Sequence, residues 1–447
     1  MSVPFPSMPY SAPYAVVLSP GVANRTTNSV IEKTINNKTI RVGSHRIRLF
    51  SSKEHSMKRR FLTVCVLLLW SSRSGAQSPL FFAGSPVTVS GGTGYVGLHD
   101  LNRDGHLDLV SGSRSSGNPE VRYGDGRGRF TPDVNGHVDF GIKHSAIAFG
   151  DVNGDGELDC AQATRDMTNE YIHVFLGIGN GRFSTASSTR LIAGRSIDLY
   201  KPQIWFLDVN EDRKIDLVTQ NGRRNTIEIF TGDGGGGFAP VRVVSVDAGY
   251  NVYTVAFGDV DRDGHIDMAV AMSPLSTQEQ GRIRIFGGNG SAEFSRALGA
   301  PLIVASSPGM AALEDVNGDT RLDIVLSHGE KELLSVLLGE SDGRFAKPMT
   351  FPLETGMSAF TVVIRDINRD RRADLIVGTV NSVSRPYNSA VVVLLGSGAS
   401  FAPAPGSPYR VAPGAYRMTA GDINEDGKLD IATSSFEGDS VTVLLGR

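Results

Sequence analysis

Covalent cross-links are nearly ruled out: the 447 residues contain only two cysteines, Cys65 and Cys160, far apart in the chain. Without a disulfide framework, stability must come from the core, from repetition or from bound metal. Long apolar runs are as scarce. The one notable stretch, Phe61 to Trp70, is too short to cross a bilayer as a helix. Helical periodicity is missing throughout 77–447, as is the H-E-x-x-H string of a zinc hydrolase. An excess of positive charge is missing from the same region, which holds 33 Lys/Arg against 45 Asp/Glu, a net of −12. That balance argues against a nucleic-acid partner and fits a surface that collects cations.

Glycine is present in excess, at 52 residues, against a usual share of about 7%. Many glycines imply many tight turns, hence many short strands.

The apolar run has a context of its own. Lys58, Arg59 and Arg60 precede it, and the small residues Ser74 and Ala76 follow at the spacing a signal peptidase prefers. Residues 57–76 therefore read as a secretory signal peptide, which places the mature chain outside the cell or in the cell envelope. Residues 1–56, rich in Ser, Asn, Thr and Pro, read as a disordered basic extension or as untranslated sequence ahead of a start at Met57.

The body, 77–447, is repetitive. Seven nonapeptides align without gaps: DLNRDGHLD from Asp100, DVNGDGELD from Asp151, DVNEDRKID from Asp208, DVDRDGHID from Asp259, DVNGDTRLD from Asp315, DINRDRRAD from Asp366 and DINEDGKLD from Asp422. Their starts lie 51 to 57 residues apart, the size of one four-stranded unit. Between them recurs an alternating apolar strand, a glycine turn and a phenylalanine, as in IHVFLGIGNGRF ending at Phe183 and IRIFGGNGSAEF ending at Phe294. This is hairpin patterning, with the phenylalanine placed to plug between neighbouring units. Seven units of four strands predict an all-β fold, a seven-bladed β-propeller of four-stranded blades. The seventh repeat stops one strand short, at VTVLLGR, while SPLFFAGSPVTV near the mature start has no strands before it. The expectation is a ring closed by the N-terminal strand, Phe81 to Val89, as outer strand of the last blade.

The nonapeptide pattern D-x-[DN]-x-[DN]-G-x-x-D sets side-chain oxygens at positions 1, 3, 5 and 9 and a glycine at the sharp turn. Hard oxygen ligands at odd positions, with a backbone carbonyl near position 7, suit Ca²⁺. Zinc would want His or Cys, and magnesium fewer protein ligands. The candidate metal ligands are Asp100, Asn102, Asp104 and Asp108; Asp151, Asn153, Asp155 and Asp159; Asp208, Asn210, Asp212 and Asp216; Asp259, Asp261, Asp263 and Asp267; Asp315, Asn317, Asp319 and Asp323; Asp366, Asn368, Asp370 and Asp374; Asp422, Asn424, Asp426 and Asp430. Up to seven Ca²⁺ sites follow. Arg213, Thr320 and Arg371 replace the glycine in three loops, which are the weaker candidates.

With strings such as FGDVNGDGELD at Phe149 to Asp159, the chain resembles the FG-GAP or VCBS repeat family, whose repeats build the integrin α-subunit head and many bacterial secreted proteins. The resemblance covers about 360 residues. It implies a seven-bladed propeller with calcium in the hairpin loops of one face and ligands on the opposite face. Adhesion, carbohydrate binding and, in eight-bladed relatives, polysaccharide cleavage occur on similar scaffolds, so fold alone does not decide function.

Three functions stay open on the sequence. The first is a secreted, non-catalytic binding or adhesion module for an extracellular glycan or protein, with contacts in the variable loops 165–171, 195–203 with Trp205, and 381–387. The second is a polysaccharide lyase or hydrolase, which needs converging acid and base groups in the funnel of the ring. The third is a structural envelope component. GTGYVG at 92–97 matches G-x-G-x-x-G but opens no helix and reads as a turn. His106 and His265 sit at loop position 7, His99, His144, His173 and His328 are scattered, and Cys160 reads as buried filler.

Overall fold

The structure, a computed structural model, describes residues 78–447 apart from 85, 90–92, 114–118, 134–143, 166–169, 185–188, 193–202, 222–225, 277–278, 295, 306–307, 330–331, 355 and 382–387, together with the backbone of 40–42 and 45–47. The chain divides into two units, 1–76 and 77–447. In the first, Ile40–Val42 pairs antiparallel with His45–Ile47. That hairpin falls within the segment read above as an extension, and the signal-peptide reading of 57–76 falls outside the described residues.

The second unit is a seven-bladed, all-β propeller. Each blade is an antiparallel meander whose strands follow one another in sequence order. The first blade runs Thr93–His99, Asp108–Ser113, Pro119–Gly124, Phe130–Pro132, and the fifth runs Pro308–Glu314, Asp323–His328, Leu333–Leu337, Met349–Pro352. In two blades the outer strand comes in two pieces: Arg296–Ala297 and Leu302–Val304 in the fourth, Phe401–Pro403 and Tyr409–Val411 in the sixth. The last blade takes Met418–Gly421, Asp430–Ser434 and Ser440–Gly446 from the end of the chain. Its outer edge comes from the start: Phe81 stands opposite Gly446 and Val87 opposite Val441.

One small sheet cannot bury both of its faces, and repetition answers that need. The second strand of each blade is covered on both sides by neighbours, so Asp323–His328 and Asp374–Val380 are buried from end to end. The apolar core accordingly divides into seven clusters, one at each junction between adjacent blades. Phe183, Phe238, Phe294, Phe345 and Phe401 from the glycine turns each join the cluster shared with the preceding blade. Phe130 does so between the seventh blade and the first. Phe81 fills the corresponding place between the sixth and seventh, edge-to-face with Tyr409.

The G-x-G-x-x-G string departs from its reading as a turn. Gly94 and Gly97 lie inside strand Thr93–His99. Tyr95, Gly97 and His99 point to one side of it, and a Cβ on Gly97 would stand 2.5 Å from the Tyr95 hydroxyl and 2.9 Å from His99 Nε2. The glycine is needed for those two side chains to close on each other.

Candidate metal centre

The seven acidic loops each link the innermost strand of a blade to its second strand, and all seven adopt the same backbone. Positions 4 and 6 have positive φ throughout, from Arg103 at 60° and Gly105 at 89° in the first loop to Glu425 at 57° and Gly427 at 78° in the last. Arg213, Thr320 and Arg371, in place of glycine, hold φ values of 66°, 70° and 68°. The missing glycines thus leave the loop's shape intact. They load it with strain, most for β-branched Thr320.

The shape follows from the carboxylates. In every loop the Asp at position 1 accepts the N–H of position 6 through Oδ2, as Asp208 does from Arg213 at 2.8 Å. The Asp at position 5 accepts the N–H of position 7, as Asp319 does from Arg321 at 2.9 Å. Such side-chain-to-backbone bonds fold the loop by themselves.

Position 9 carries a structural role that the other three do not. Asp108, Asp159, Asp216, Asp267, Asp323, Asp374 and Asp430 are all fully buried. One oxygen of each accepts the N–H of loop position 2 and the other the N–H of a glycine at or just after the end of the third strand, at 2.7 to 3.0 Å in all fourteen bonds. Burial pushes these carboxyls above their ordinary range, against the pull of the two backbone donors. They staple each loop to the hairpin beside it.

Calcium fits some loops better than others. In five loops the position-1 Oδ1 also accepts the N–H of position 5, as Asp100 does from Asp104 at 3.1 Å. In the fourth and seventh loops Asp259 Oδ1 and Asp422 Oδ1 are instead buried with no hydrogen-bond partner. A buried carboxylate oxygen left so is costly unless a cation meets it. The fourth loop also has Asp rather than Asn at position 3. Asp259, Asp261 and Asp267 bring ligand oxygens within 4.8 Å of one another, the one such acidic group among the described residues. Two oxygens on opposite sides of a calcium ion, each ~2.4 Å from it, would stand ~4.8 Å apart. In the fifth and seventh loops, Arg321 and Lys428 at position 7 bond the position-5 carboxylates Asp319 and Asp426 and compete with a metal for them. Both loops with an unmet Oδ1 keep the glycine at position 6, as Gly264 and Gly427. The donor set favours the fourth.

Bridges pass from one loop to the next around this face. Position 4 reaches position 7 of the following loop in Arg103–Glu157 at 3.0 Å, Glu211–His265 at 2.6 Å and Glu425–His106. Arg262 reaches the Thr320 hydroxyl at 2.7 Å.

Nucleophiles gain no support. Cys160 is buried and free, and burial pushes its thiol up. Residues 339–343, Gly-Glu-Ser-Asp-Gly, spell the G-x-S-x-G of a serine elbow. They turn the fifth blade's outer hairpin through a 3-10 turn, Ser341–Gly343, rather than joining strand to helix, and among the described residues no imidazole meets exposed Ser341. Of the variable loops, most of 165–171, all of 195–202 and most of 381–387 lie outside the described residues. Trp205 packs edge-to-face on Phe257 at 5.4 Å as part of a blade interface. No helix among the described residues is long and apolar enough to cross a membrane.

Comparison with known proteins agrees with this geometry. The family model for the FG-GAP-like repeat matches residues 100–161, 208–270 and 315–377, and each match takes in two successive acidic loops. No curated protein matches the chain in sequence. Among solved structures, BBS1N in complex with ARL6DN, soaked with mercury, is 12% identical, with a TM-score of 0.53 over 83% of this chain and 98% of that one. The Dos1 propeller is 11% identical, with a TM-score of 0.50 over 82% and 95% of the two chains. Identities so low speak to fold alone. The chain carries FG-GAP-like repeats and folds as a seven-bladed propeller with its repeat loops gathered on one face.

Proposed function

We propose that the protein is a secreted propeller stapled by calcium and acting as a non-catalytic binding module for an extracellular glycan or protein. The fourth loop carries the calcium part of this reading: three carboxylates within calcium's span and one buried oxygen, Asp259 Oδ1, without a hydrogen donor. The signal-like segment ahead of residue 77 supports an extracellular setting, where millimolar calcium is available to loops of modest affinity. The architecture supports binding, since the similar propeller BBS1N was solved in complex with a protein, ARL6DN. A ring whose acidic loops are spent on structure leaves the opposite face and the axis for a partner.

The test is calorimetric titration of the metal-free chain with calcium and, separately, with magnesium, followed by glycan-array and cell-surface binding of the loaded protein. Saturable, calcium-selective binding lost in Asp259→Ala supports the metal assignment. Equal heats for the two metals would sink it.

A further inference from the structure

Five positions before the first Asp of each acidic loop, several blades converge on the axis of the ring. Gln203 and Arg417 stand immediately before the innermost strands Ile204–Leu207 and Met418–Gly421, and Met310 lies near the start of Pro308–Glu314. At ~3.3 Å per residue this level is ~17 Å along the strand from the loops, at the opposite end of the channel. Gln203 Nε2 approaches Met310 Sδ at 3.1 Å, and an Arg417 guanidinium nitrogen approaches the same sulfur at 3.2 Å. The three residues belong to the third, fifth and seventh blades, of which no two are neighbours. Their contacts therefore span the channel.

The chemistry there is rich in donors and poor in acceptors. A thioether sulfur is a weak acceptor, yet among the described residues it is the hydrogen-bond partner of the Arg417 guanidinium, and no carboxylate pairs with that group. Thr254 donates to Gln203 Oε1 at 3.0 Å, which leaves the amide nitrogen turned toward the axis. Burial lowers Arg417 from its ordinary value, with the Tyr253 and Tyr95 hydroxyls opposing. His99, farther along the first blade's strand, is pushed down by burial to about 4 and is neutral at neutral pH. The fixed positive charge among these channel groups is thus that of Arg417. Tyr416, the preceding residue, packs edge-to-face against Phe360 at 4.7 Å and Phe436 at 5.1 Å, which anchors the backbone presenting the guanidinium.

We propose that this end of the channel binds a small carboxylate-bearing ligand, gripped by the Arg417 guanidinium and by Gln203 Nε2. Two nitrogens each about 3 Å from one sulfur are close enough for a single carboxylate to touch both. The guanidinium fork matches that planar anion, and the flexible Met310 side chain can turn aside to admit it. A half-buried guanidinium without a counter-ion weakens the ligand-free fold and is the kind of feature kept for a partner. The inference rests on the binding-module reading only for the premise that the ring binds something, and it does not need calcium.

The experiment is isothermal titration of the full chain with D-glucuronate and with N-acetylglycine, beside glucose, N-acetylglycinamide and inorganic phosphate. At least one carboxylate is expected to bind saturably while its neutral counterpart does not. Glucuronate alone would identify an acidic sugar as the source, and N-acetylglycine alone a peptide terminus. Arg417→Met is expected to weaken binding at least tenfold while raising the melting temperature of the ligand-free chain. Gln203→Leu, a milder change, should weaken it about threefold. Absence of binding by either carboxylate, unchanged affinity in both variants, or tighter binding of phosphate would overturn the proposal. Calcium selectivity is read separately in the metal titration, so either claim can fail alone.

Discussion

Removing one buried staple should cost more than removing any exposed acidic group of the same loop, even with no metal present. Asp323 is fully buried, and its carboxylate accepts the Val316 N–H at 2.9 Å and the Gly339 N–H at 2.7 Å. Asp323→Ala leaves two buried donors unmet, each costing about 1–3 kcal/mol, so the loss is about 4 kcal/mol. Asp323→Asn keeps one acceptor but turns an amide N–H₂ toward the other donor, for about 3 kcal/mol. The comparison is Asp104→Asn. That exposed side chain accepts the His106 N–H through Oδ1 at 2.9 Å, which an amide oxygen can replace, and the Asn102 Nδ2 through Oδ2 at 2.8 Å, which water can replace at this exposed site, so its cost should stay under about 1 kcal/mol. Equilibrium urea unfolding in EDTA reads all three with metal effects removed. If Asp323→Asn unfolds within about 1 kcal/mol of the parent while Asp104→Asn costs more, the ninth position is not a structural staple and this reasoning fails.

Other expectations follow from particular residues. Thr320→Gly relieves a β-branched residue held at φ 70° but also removes the hydroxyl that Arg262 bonds at 2.7 Å; made in an Arg262→Ala background, it should stabilise the chain by about 1 kcal/mol in the same unfolding assay, and a loss there would mean that the loop is not strained. Deleting residues 78–89 removes Phe81 and Val89, each 3% exposed, and the strands paired with Ser440–Gly446. At about 1.5–3 kcal/mol per buried apolar side chain, with the lost pairing added, about 5 kcal/mol should go, and unchanged unfolding would show that the ring does not depend on this segment. His106 is raised from its ordinary value chiefly by its hydrogen bond to Glu425. Its bridge between the seventh and first loops therefore contributes fully below the unfolded histidine value and is lost as pH rises through the folded one. Titration of the ring protons by NMR should show that raised value falling in Glu425→Gln, and no change on substitution would separate the two residues.

How much was legible in the sequence depended on whether a residue acts within its own repeat. The blades and the loops were legible because alternating strands, glycine turns and D-x-N-x-D spacing are local patterns, and turn chemistry and ligand chemistry ask for the same residues. The phenylalanine plugs were legible through their repetition. The structural role of the ninth Asp, beside its candidacy as a ligand, was not legible because its second partner, such as Gly124 for Asp108, lies 16 residues downstream. Position 4 is glycine in only two loops, Gly154 and Gly318, so Arg103 and Glu211, which hold the same left-handed backbone, give little mark of it. The competition of Arg321 and Lys428 with a metal is visible only when the side chains are placed. Least legible of all was Arg417, whose sulfur partner lies 107 residues away on a blade that is not its neighbour.

The central claim, that these loops are calcium staples, is tested most directly by thermal unfolding of the chain in EDTA, in about 1 mM calcium and in about 1 mM magnesium. A loop with a Kd near ~10⁻⁴ M gains about 1.4 kcal/mol at that calcium concentration, so the account predicts a rise in melting temperature specific to calcium and reduced in Asp259→Ala. Superimposable curves in all three conditions would contradict it, leaving the acidic loops as turns that the carboxylates and the backbone fold by themselves.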